Sequence, residues 1–335
     1  MRALTVAKSS VEVTTLPDPS PGPGEVVVAV HSCGICGSDV HAVEHGRAAP
    51  GQVLGHELSG TVVALGKGVE GWHVDDRVAV NPLGACGHCE ECARGLSFRC
   101  NALPNLGLSA PGGFAEYVRA SASQLQAIPE GTDTEDGAHA EPLAVALHGV
   151  HLACAGAGTR AVVFGVGAIG LSVIMALRAL GAEEIVAVGR SAVRRRAAEA
   201  VGADLVVDSS AVDLEGFFAE RQGAFDAAFE CSGAEAAFGL LLGALASDGT
   251  LVELALSDQE VPVSLGDLLH RNLHVVGSCA FSPAEYAESL GLIAARRVDL
   301  APLVTARLGL AEAPAAFVEL RHPKELVGAL VQPWR

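Results

Sequence analysis

Ala161–Leu177 reads AVVFGVGAIGLSVIMAL. The stretch is uncharged and close to the length of a membrane-spanning helix. Gly165, Gly167 and Gly170 interrupt it early, however, and Arg160 and Arg178 bound it closely, so a buried strand followed by a buried helix is the better reading. Ala161–Phe164 is then the strand and Leu171–Leu180 an apolar helix ended by Gly181. Gly165-Val166-Gly167-Ala168-Ile169-Gly170 between them is G-x-G-x-x-G, and Glu184–Val188 is the next strand. Alone, that glycine spacing is a weak signal. Placed in strand–turn–helix–strand order it is a strong one, because the glycines let backbone approach a pyrophosphate and the helix N-terminus supplies N–H donors.

Working outward, strand and helix signals keep alternating toward the C-terminus. Leu205–Val207, Ala224–Glu230, Gly249–Leu256 and Leu273–Gly277 read as strands, with a helix near Glu235–Leu245. This pattern predicts a doubly wound parallel sheet. An acid ending its second strand would accept from the ribose 2′-hydroxyl of NAD. Here Gly189, Arg190 and Ser191 stand at that point, followed by Arg194, Arg195 and Arg196. Glycine makes room and Arg190 can meet a 2′-phosphate with charge-assisted hydrogen bonds, which favours NADP(H) over NAD(H). Arg195 and Arg196 read as the solvated face of the next helix. The cofactor-binding set is Gly165, Gly167, Ala168, Ile169, Gly170, Gly189, Arg190, Arg194 and Ser278.

Before residue 140 the pattern is different. Residues 1–30 read as two β runs around a turn: Val11–Thr15 alternates, PDPSPGPGE breaks it, and Glu25–Val30 resumes. Gly60–Gly66 and Asp76–Val80 are further short strands between glycines, and Pro111–Val118 is a glycine turn into another. Such punctuation predicts a barrel-like β domain.

Two groups of metal-binding side chains fall inside that domain. Cys33–Gly60 (CGICGSDVHAVEHGRAAPGQVLGHELSG) carries Cys36, Ser38, Asp39, His41, His56 and Glu57. Cys, His and carboxylates bind zinc, and a catalytic zinc keeps a position open beside three protein ligands. Cys86, Cys89, Cys92 and Cys100 follow C-x2-C-x2-C-x7-C, the pattern of a closed structural zinc site. Bacterial ferredoxin runs share the first three cysteines but place proline after the last. Here Asn101 follows. Glu135–His151 has helical spacing, and Glu141 within it is either a solvated first-turn carboxylate or a further ligand of the first metal.

Composition bounds the rest. The chain has 335 residues, half of them hydrophobic, 4% aromatic, with two methionines, so its cores are aliphatic. Length suggests about two domains. A net charge of −17 speaks against nucleic acid or an acidic membrane as partner. Basic residues are mostly Arg; the lysines are Lys8, Lys67 and Lys324. The N-terminal MRALTVAKSSVEVTT lacks the apolar core of a secretory signal, so the expectation is a cytoplasmic protein. Nine cysteines then point to metal rather than disulfides.

CGICGSDVH, GHE, the four-cysteine run, EPLAVALHG, GVGAIG and ECSGA, in that order, resemble the zinc-dependent medium-chain dehydrogenases/reductases, particularly the sorbitol and threonine dehydrogenase-like branch. The resemblance covers nearly the whole chain. It implies a GroES-like β-barrel catalytic domain, 1–142 and 281–335 with its zinc lobe at 86–100, and a Rossmann domain at 143–280. Cys36, His56 and Glu141 match catalytic zinc positions. Glu57 matches a position that ligates in some members and stands behind the ligands in others, and Asp39 matches the carboxylate that orients the histidine. Ser38 and His41 match the proton relay. Cys86, Cys89, Cys92 and Cys100 match the structural zinc lobe. The implied reaction is hydride transfer between a secondary alcohol (polyol, sugar or cyclitol-like) or its ketone and the nicotinamide. A homodimer or homotetramer is implied as well. The chain departs from the family at Gly189–Arg190 and in a short loop between His41 and Gly55. Cys33, Cys154, Cys231 and Cys279 have no matched role and read as small buried hydrophobes. The alternatives are a simple alcohol or diol dehydrogenase using NAD(H), a non-catalytic NADPH sensor, a zinc-free quinone reductase and a zinc-ribbon nucleic-acid binder.

Overall fold

The computed structural model describes residues 1–335 except 95, 101, 103, 258–259 and 322–325. Asn101, which bears on the zinc-versus-iron–sulfur reading, and Lys324 lie outside the described residues. The chain forms two compact units: Met1–Glu141 with Ser282–Arg296 and Val304–Arg335, and Pro142–Phe281 with Arg297–Leu303.

In the first unit β1 (Arg2–Ala7) and β2 (Ser10–Thr15) form an antiparallel hairpin. Then follow β3 (Glu25–Gly34), β4 (Glu57–Leu65), β5 (Arg77–Val80), β6 (Tyr117–Ser121) and β7 (Leu125–Ala127). Residues 1–30 thus hold three strand segments, where the sequence suggested two runs. The first, RALTVA, is buried continuously from Ala3 to Val6 rather than on alternate residues, and such short strands are hard to classify from periodicity. β3 reaches Gly34 and β4 starts at Glu57, both longer toward each other than their apolar cores implied, because antiparallel pairing carries on to Gly34↔Glu57. Cys36 and His56 therefore flank the end of one strand pair. Val26, Val28, Val30, Leu58, Val62, Val78, Val80 and Phe114 fill the core between the layers.

The second unit holds β8 (Arg160–Phe164), β9 (Glu184–Gly189), β10 (Leu205–Asp208), β11 (Phe225–Glu230), β12 (Leu245–Glu253) and β13 (His274–Gly277). Their order is β10-β9-β8-β11-β12-β13, and every pairing is parallel. The chain winds one way from β8 to β10 and the other way from β11 to β13, so the order reverses between β8 and β11. In such sheets ligands bind at that reversal, beyond the carboxyl ends of the strands. β12 starts and stops earlier than Gly249–Leu256, since its register on β11 slips between Phe225 and Ala227 and realigns Thr250 with Ala227.

The helix Ala168–Ala179 buries Leu171, Val173, Ile174, Met175, Ala176 and Leu177. Each large aliphatic so buried is worth roughly 1.5–3 kcal/mol, which explains an apolar content resembling a membrane span. The stretch is a strand plus a twelve-residue helix, and no helix of the described residues is long and apolar enough to cross a membrane.

The C-terminal segment adds β14 (Ala306–Leu308) and β15 (Ala329–Val331) beside β3, giving the order β14-β15-β3-β4-β5-β7, with β6 also on β3. Glu135, in the 3₁₀ turn Glu135–His139, takes a forked contact from Arg307 (2.6 and 3.0 Å) and accepts from Gln332 (2.9 Å). The Arg307 guanidinium holds the Glu135 carboxyl below its usual range. Half-exposed pairs of this kind contribute little stability and serve more to fix the register of the returning strands.

Candidate active site

Cys36 precedes the helix Gly37–Glu44 in an extended conformation and so starts that helix. Asp39, buried in its first turn, accepts from the Cys36 N–H (3.1 Å) through one oxygen and from the Gly55 N–H (3.3 Å) through the other. The same Oδ1 lies 3.4 Å from His56 Nδ1, an ion-pair distance. One carboxylate thus joins the loop carrying Cys36 to the turn carrying His56. Gly55 makes that turn possible, with φ +94° and no space for a Cβ between Cys33 Sγ and the Phe114 ring.

Ligand atoms of Cys36, His56 and Glu57 lie within 4.8 Å of one another. Glu57 reaches the cluster because its carboxylate occupies the space a side chain on Gly34 would fill. Burial raises the Glu57 carboxyl to about 7, the nearby His56 charge pulling the other way. Burial also raises the Cys36 thiol. It opposes the charging of His56, but the Asp39 carboxylate and Cys36 prevail and raise that imidazole well above its ordinary range. The acidic groups among them, packed so closely and largely cut off from water, hinder one another's ionisation. That suits a dication, which would satisfy the anions together.

Glu141 is buried at the start of the helix Ala140–Leu152, which excludes the solvated-carboxylate reading. Desolvation lifts it to about 8, and it feels the charges of His56, Glu57 and Asp39. It stands outside the tight three-donor group. Ser38 Oγ is 3.4 Å from His56 Nε2. His41, one turn along, is half-buried with its ring centroid 4.0 Å from that of His45, and His45 Nδ1 faces the His41 carbonyl at 3.1 Å. His45 and the buried Tyr286, whose phenol is held neutral by burial and by Glu141, were not visible in the sequence as neighbours of the site. Tyr286 enters from a helix (Pro283–Ala294) far along the chain from Glu141, which no local pattern could reveal.

The four sulfurs of Cys86, Cys89, Cys92 and Cys100 lie within 4.8 Å of one another. Tetrahedral zinc with bonds of about 2.3 Å would separate its sulfurs by about 3.8 Å. Cys89 and Cys100 Sγ are 3.8 Å apart. Backbone N–H groups of Cys86 and Cys89 point at Cys100 and Cys86 sulfurs, 3.3 Å each. Donation from the backbone, His88 foremost, lowers the Cys86 thiol, while desolvation pushes Cys92 up to about 11. No disulfide joins any of the nine cysteines.

In the second unit Gly165 (φ +100°) follows β8, and its α-carbon lies flush against the Cys231–Ser232 backbone. Gly167 caps the helix Ala168–Ala179, and a Cβ on Gly170 would strike the Gly165 carbonyl oxygen. Ala168 and Ile169 form the first turn of that helix, so the whole hexapeptide sits at the carboxyl end of β8. Gly189 ends β9, and its missing side chain is occupied by Val166 of the glycine turn. Arg190 is exposed, and Arg194 comes to 3.8 Å of where a Gly167 side chain would begin. Arg195 differs from the solvated residue the sequence suggested. It is half-buried, pairs with Asp208 (2.7 Å) and donates to the Arg190 carbonyl (2.5 Å). The Asp208 carboxylate at the end of β10 and the Arg190 carbonyl just past β9 draw the guanidinium in from solvent. Ser278 lies just past β13, its N–H on the Glu253 carbonyl (2.9 Å). Of the cysteines read as buried hydrophobes, Cys33 is buried and Cys231 half-buried, whereas Cys154 and Cys279 are exposed.

A parallel sheet with a glycine turn at its reversal, in a chain whose other unit carries a Cys/His/Glu group and a four-cysteine lobe, defines a zinc- and nicotinamide-dependent oxidoreductase. Residues 22–130 match the alcohol dehydrogenase GroES-like domain and residues 168–295 the zinc-binding dehydrogenase family. The chain is 33% identical to 2-dehydro-3-deoxy-L-galactonate 5-dehydrogenase of Pseudoalteromonas atlantica, covering 93% of each. It is 32% identical to sorbitol dehydrogenase of Halalkalibacterium halodurans, covering 95% of this chain and 94% of that one. A solved structure from Sinorhizobium meliloti 1021, assigned as a zinc-binding dehydrogenase and bound to NADP, superposes with a TM-score of 0.91 at 32% identity over 99% of each chain. The chain belongs to the zinc-dependent medium-chain dehydrogenase family and is an NAD(P)-dependent alcohol/polyol dehydrogenase.

Proposed function

We propose that the substrate is a secondary alcohol on a polyol, sugar or cyclitol-like molecule, or the matching ketone, and that NADP(H) is preferred over NAD(H). The names of the relatives support a polyhydroxylated substrate. The single observation that carries the cofactor preference is Gly189–Arg190 at the end of β9, with Arg194 beside the glycine turn and no acid between them. The S. meliloti protein bound to NADP is consistent with it.

Cys36, His56 and Glu57 would hold the catalytic zinc, with Glu141 the carboxylate beside them, and the four-cysteine lobe would hold the structural one. When bound, zinc supplies Lewis-acid polarisation of the substrate oxygen and the nicotinamide supplies the hydride acceptor or donor. Asp39 fixes His56 by the contact at Nδ1, so that Nε2 faces the Ser38 hydroxyl. Ser38 takes the alcohol proton, and His41, three residues along the same helix, passes it on. Run in reverse, these groups deliver a proton to a ketone.

A panel of polyols, sugars, cyclitols and their ketones, assayed with NADPH and NADH, tests the reading. Turnover confined to simple alcohols with NADH would overturn it. Arg190→Ala removes a charge-assisted contact worth roughly 10–100-fold in affinity. The Kd for NADPH should therefore rise by that factor while that for NADH stays within about twofold. Equal losses would remove Arg190 from the 2′-phosphate.

A homodimer or homotetramer is part of the same proposal. β13 ends the six-stranded order, and Leu256, Leu265, Leu269 and Val275 are exposed around it. An exposed apolar edge is a place for a second copy. Light scattering should give at least twice the monomer mass of 34.1 kDa. A monomer at micromolar concentration would rule this out.

A further inference from the structure

Glu230 and Glu253 end β11 and β12 and are register partners on adjacent parallel strands. Glu230 is 2% exposed. One of its oxygens accepts from the Ser232 N–H (2.9 Å) and hydroxyl (2.5 Å), and the other from the Gly233 N–H (2.8 Å). Glu253 accepts from the Ala255 N–H (3.0 Å), and it and Glu230 line the same cavity. Two carboxylate charges set side by side on adjacent strands hinder each other's ionisation. The cavity, of about 150 Å³, is also lined by Gly233, Ala234, Glu235 and Phe238 among others.

The turn that Glu230 organises lies over the reversal between β8 and β11. Cys231 N–H donates to the Phe164 carbonyl (2.8 Å), and Cys231–Ser232 packs directly on Gly165, the first glycine of the nucleotide turn. A shift of this turn would move the glycine turn.

We infer that Glu230 and Glu253 are positioning residues for the nicotinamide cofactor: Glu230 keeps the turn at 231–234 seated on Gly165, and a second negative charge on Glu253 beside it loosens that turn and weakens cofactor binding. The inference rests on the reading of the glycine turn as the nucleotide site. Burial, with Glu230 adding to it, lifts Glu253 to about 7. A raised carboxyl keeps its proton in the folded chain, so its contribution is complete below about 4.5 and is lost as pH rises through about 7. The other titratable groups facing the pair are Glu235, at the start of the next helix and lining the cavity, and Cys231, whose thiol burial and both glutamates push up. Neither supplies a positive charge that would offset the repulsion. Phe164 on β8 and Gly277 on β13 stand opposite and carry no charge.

The test is cofactor affinity, read by NADPH fluorescence between pH 6 and 9 with Tm as a check on folding. The wild-type Kd should rise about tenfold over that range, the scale of weakening one hydrogen bond of the turn. Glu253→Gln carries no charge at any pH, and its Kd should vary less than about threefold. Glu230→Gln turns an amide against backbone N–H groups and should bind about tenfold more weakly at every pH. Superimposable wild-type and Glu253→Gln profiles, or an unchanged Kd in Glu230→Gln, would overturn the inference while leaving the nucleotide site standing. A wild-type protein that binds neither NADPH nor NADH would overturn both.

Discussion

His56→Ala should lower kcat by on the order of 10³ or more, with NADPH binding retained. Polarisation by a metal ion is worth several kcal/mol of transition-state stabilisation, and each ~1.36 kcal/mol is tenfold in rate. His56 is central because it contacts Asp39 on one nitrogen and faces Ser38 on the other. Its removal deletes a ligand and leaves the Asp39 charge buried without its partner. Cys36→Ala should act alike, while the glycine turn, in the other compact unit, keeps its own hydrogen bonds. The measurements are kcat on the best substrate of the panel, zinc content by atomic absorption, and NADPH fluorescence. A His56→Ala protein with near-normal kcat would remove the zinc mechanism. Loss of NADPH binding along with turnover would indicate a folding defect, and Ser38→Ala, which spares the ligands, then decides whether the site is catalytic.

Cys92→Ala should strip the four-cysteine lobe of zinc and unfold it locally. Closed structural zinc sites draw about 10 kcal/mol or more from the metal in small zinc-binding peptides. Among its described residues the lobe at 86–100 has little else to hold it. Its helix Glu90–Ala93 has no buried residue, nor has the 3₁₀ turn Ser97–Arg99, and of the four cysteines only Cys100 is fully buried. Without metal, four thiols of unequal acidity are left packed together. The zinc content should fall by one per chain, and limited proteolysis should cut between residues 84 and 103 in the variant alone. Turnover should fall less than in His56→Ala, since β3–β5 and the Cys36/His56/Glu57 group keep their own core. An uncut variant with an unchanged melting temperature would show that the lobe does not depend on its metal.

Much of the molecule was legible before its structure, wherever chemistry depends on short spacing. G-x-G-x-x-G and C-x2-C-x2-C-x7-C place their groups within a short segment, so sequence distance and spatial distance nearly coincide. The strands of the second unit were read to within a few residues for the same reason, except β12, whose start is set by register on β11; the short helices Leu214–Ala219 and Leu265–Arg271 were not read at all. Glu141 could not be decided from sequence, because a first-turn carboxylate looks the same whether solvated or buried. Arg195 looked like one of three surface arginines, and only the approach of Asp208 from β10 gave it a partner.

The sequence by itself determined the four-cysteine set, the glycine turn and the absence of an acid at Gly189–Arg190, since each is a matter of residue type at fixed local spacing. Tertiary structure alone decided that Asp39 links Cys36 to His56 through Gly55, that Glu57 fills the space left by Gly34, and that Glu230 lies beside Glu253. Those pairings come from strand register and from burial, which change how a carboxyl group ionises. Neither has a signature in the order of the residues.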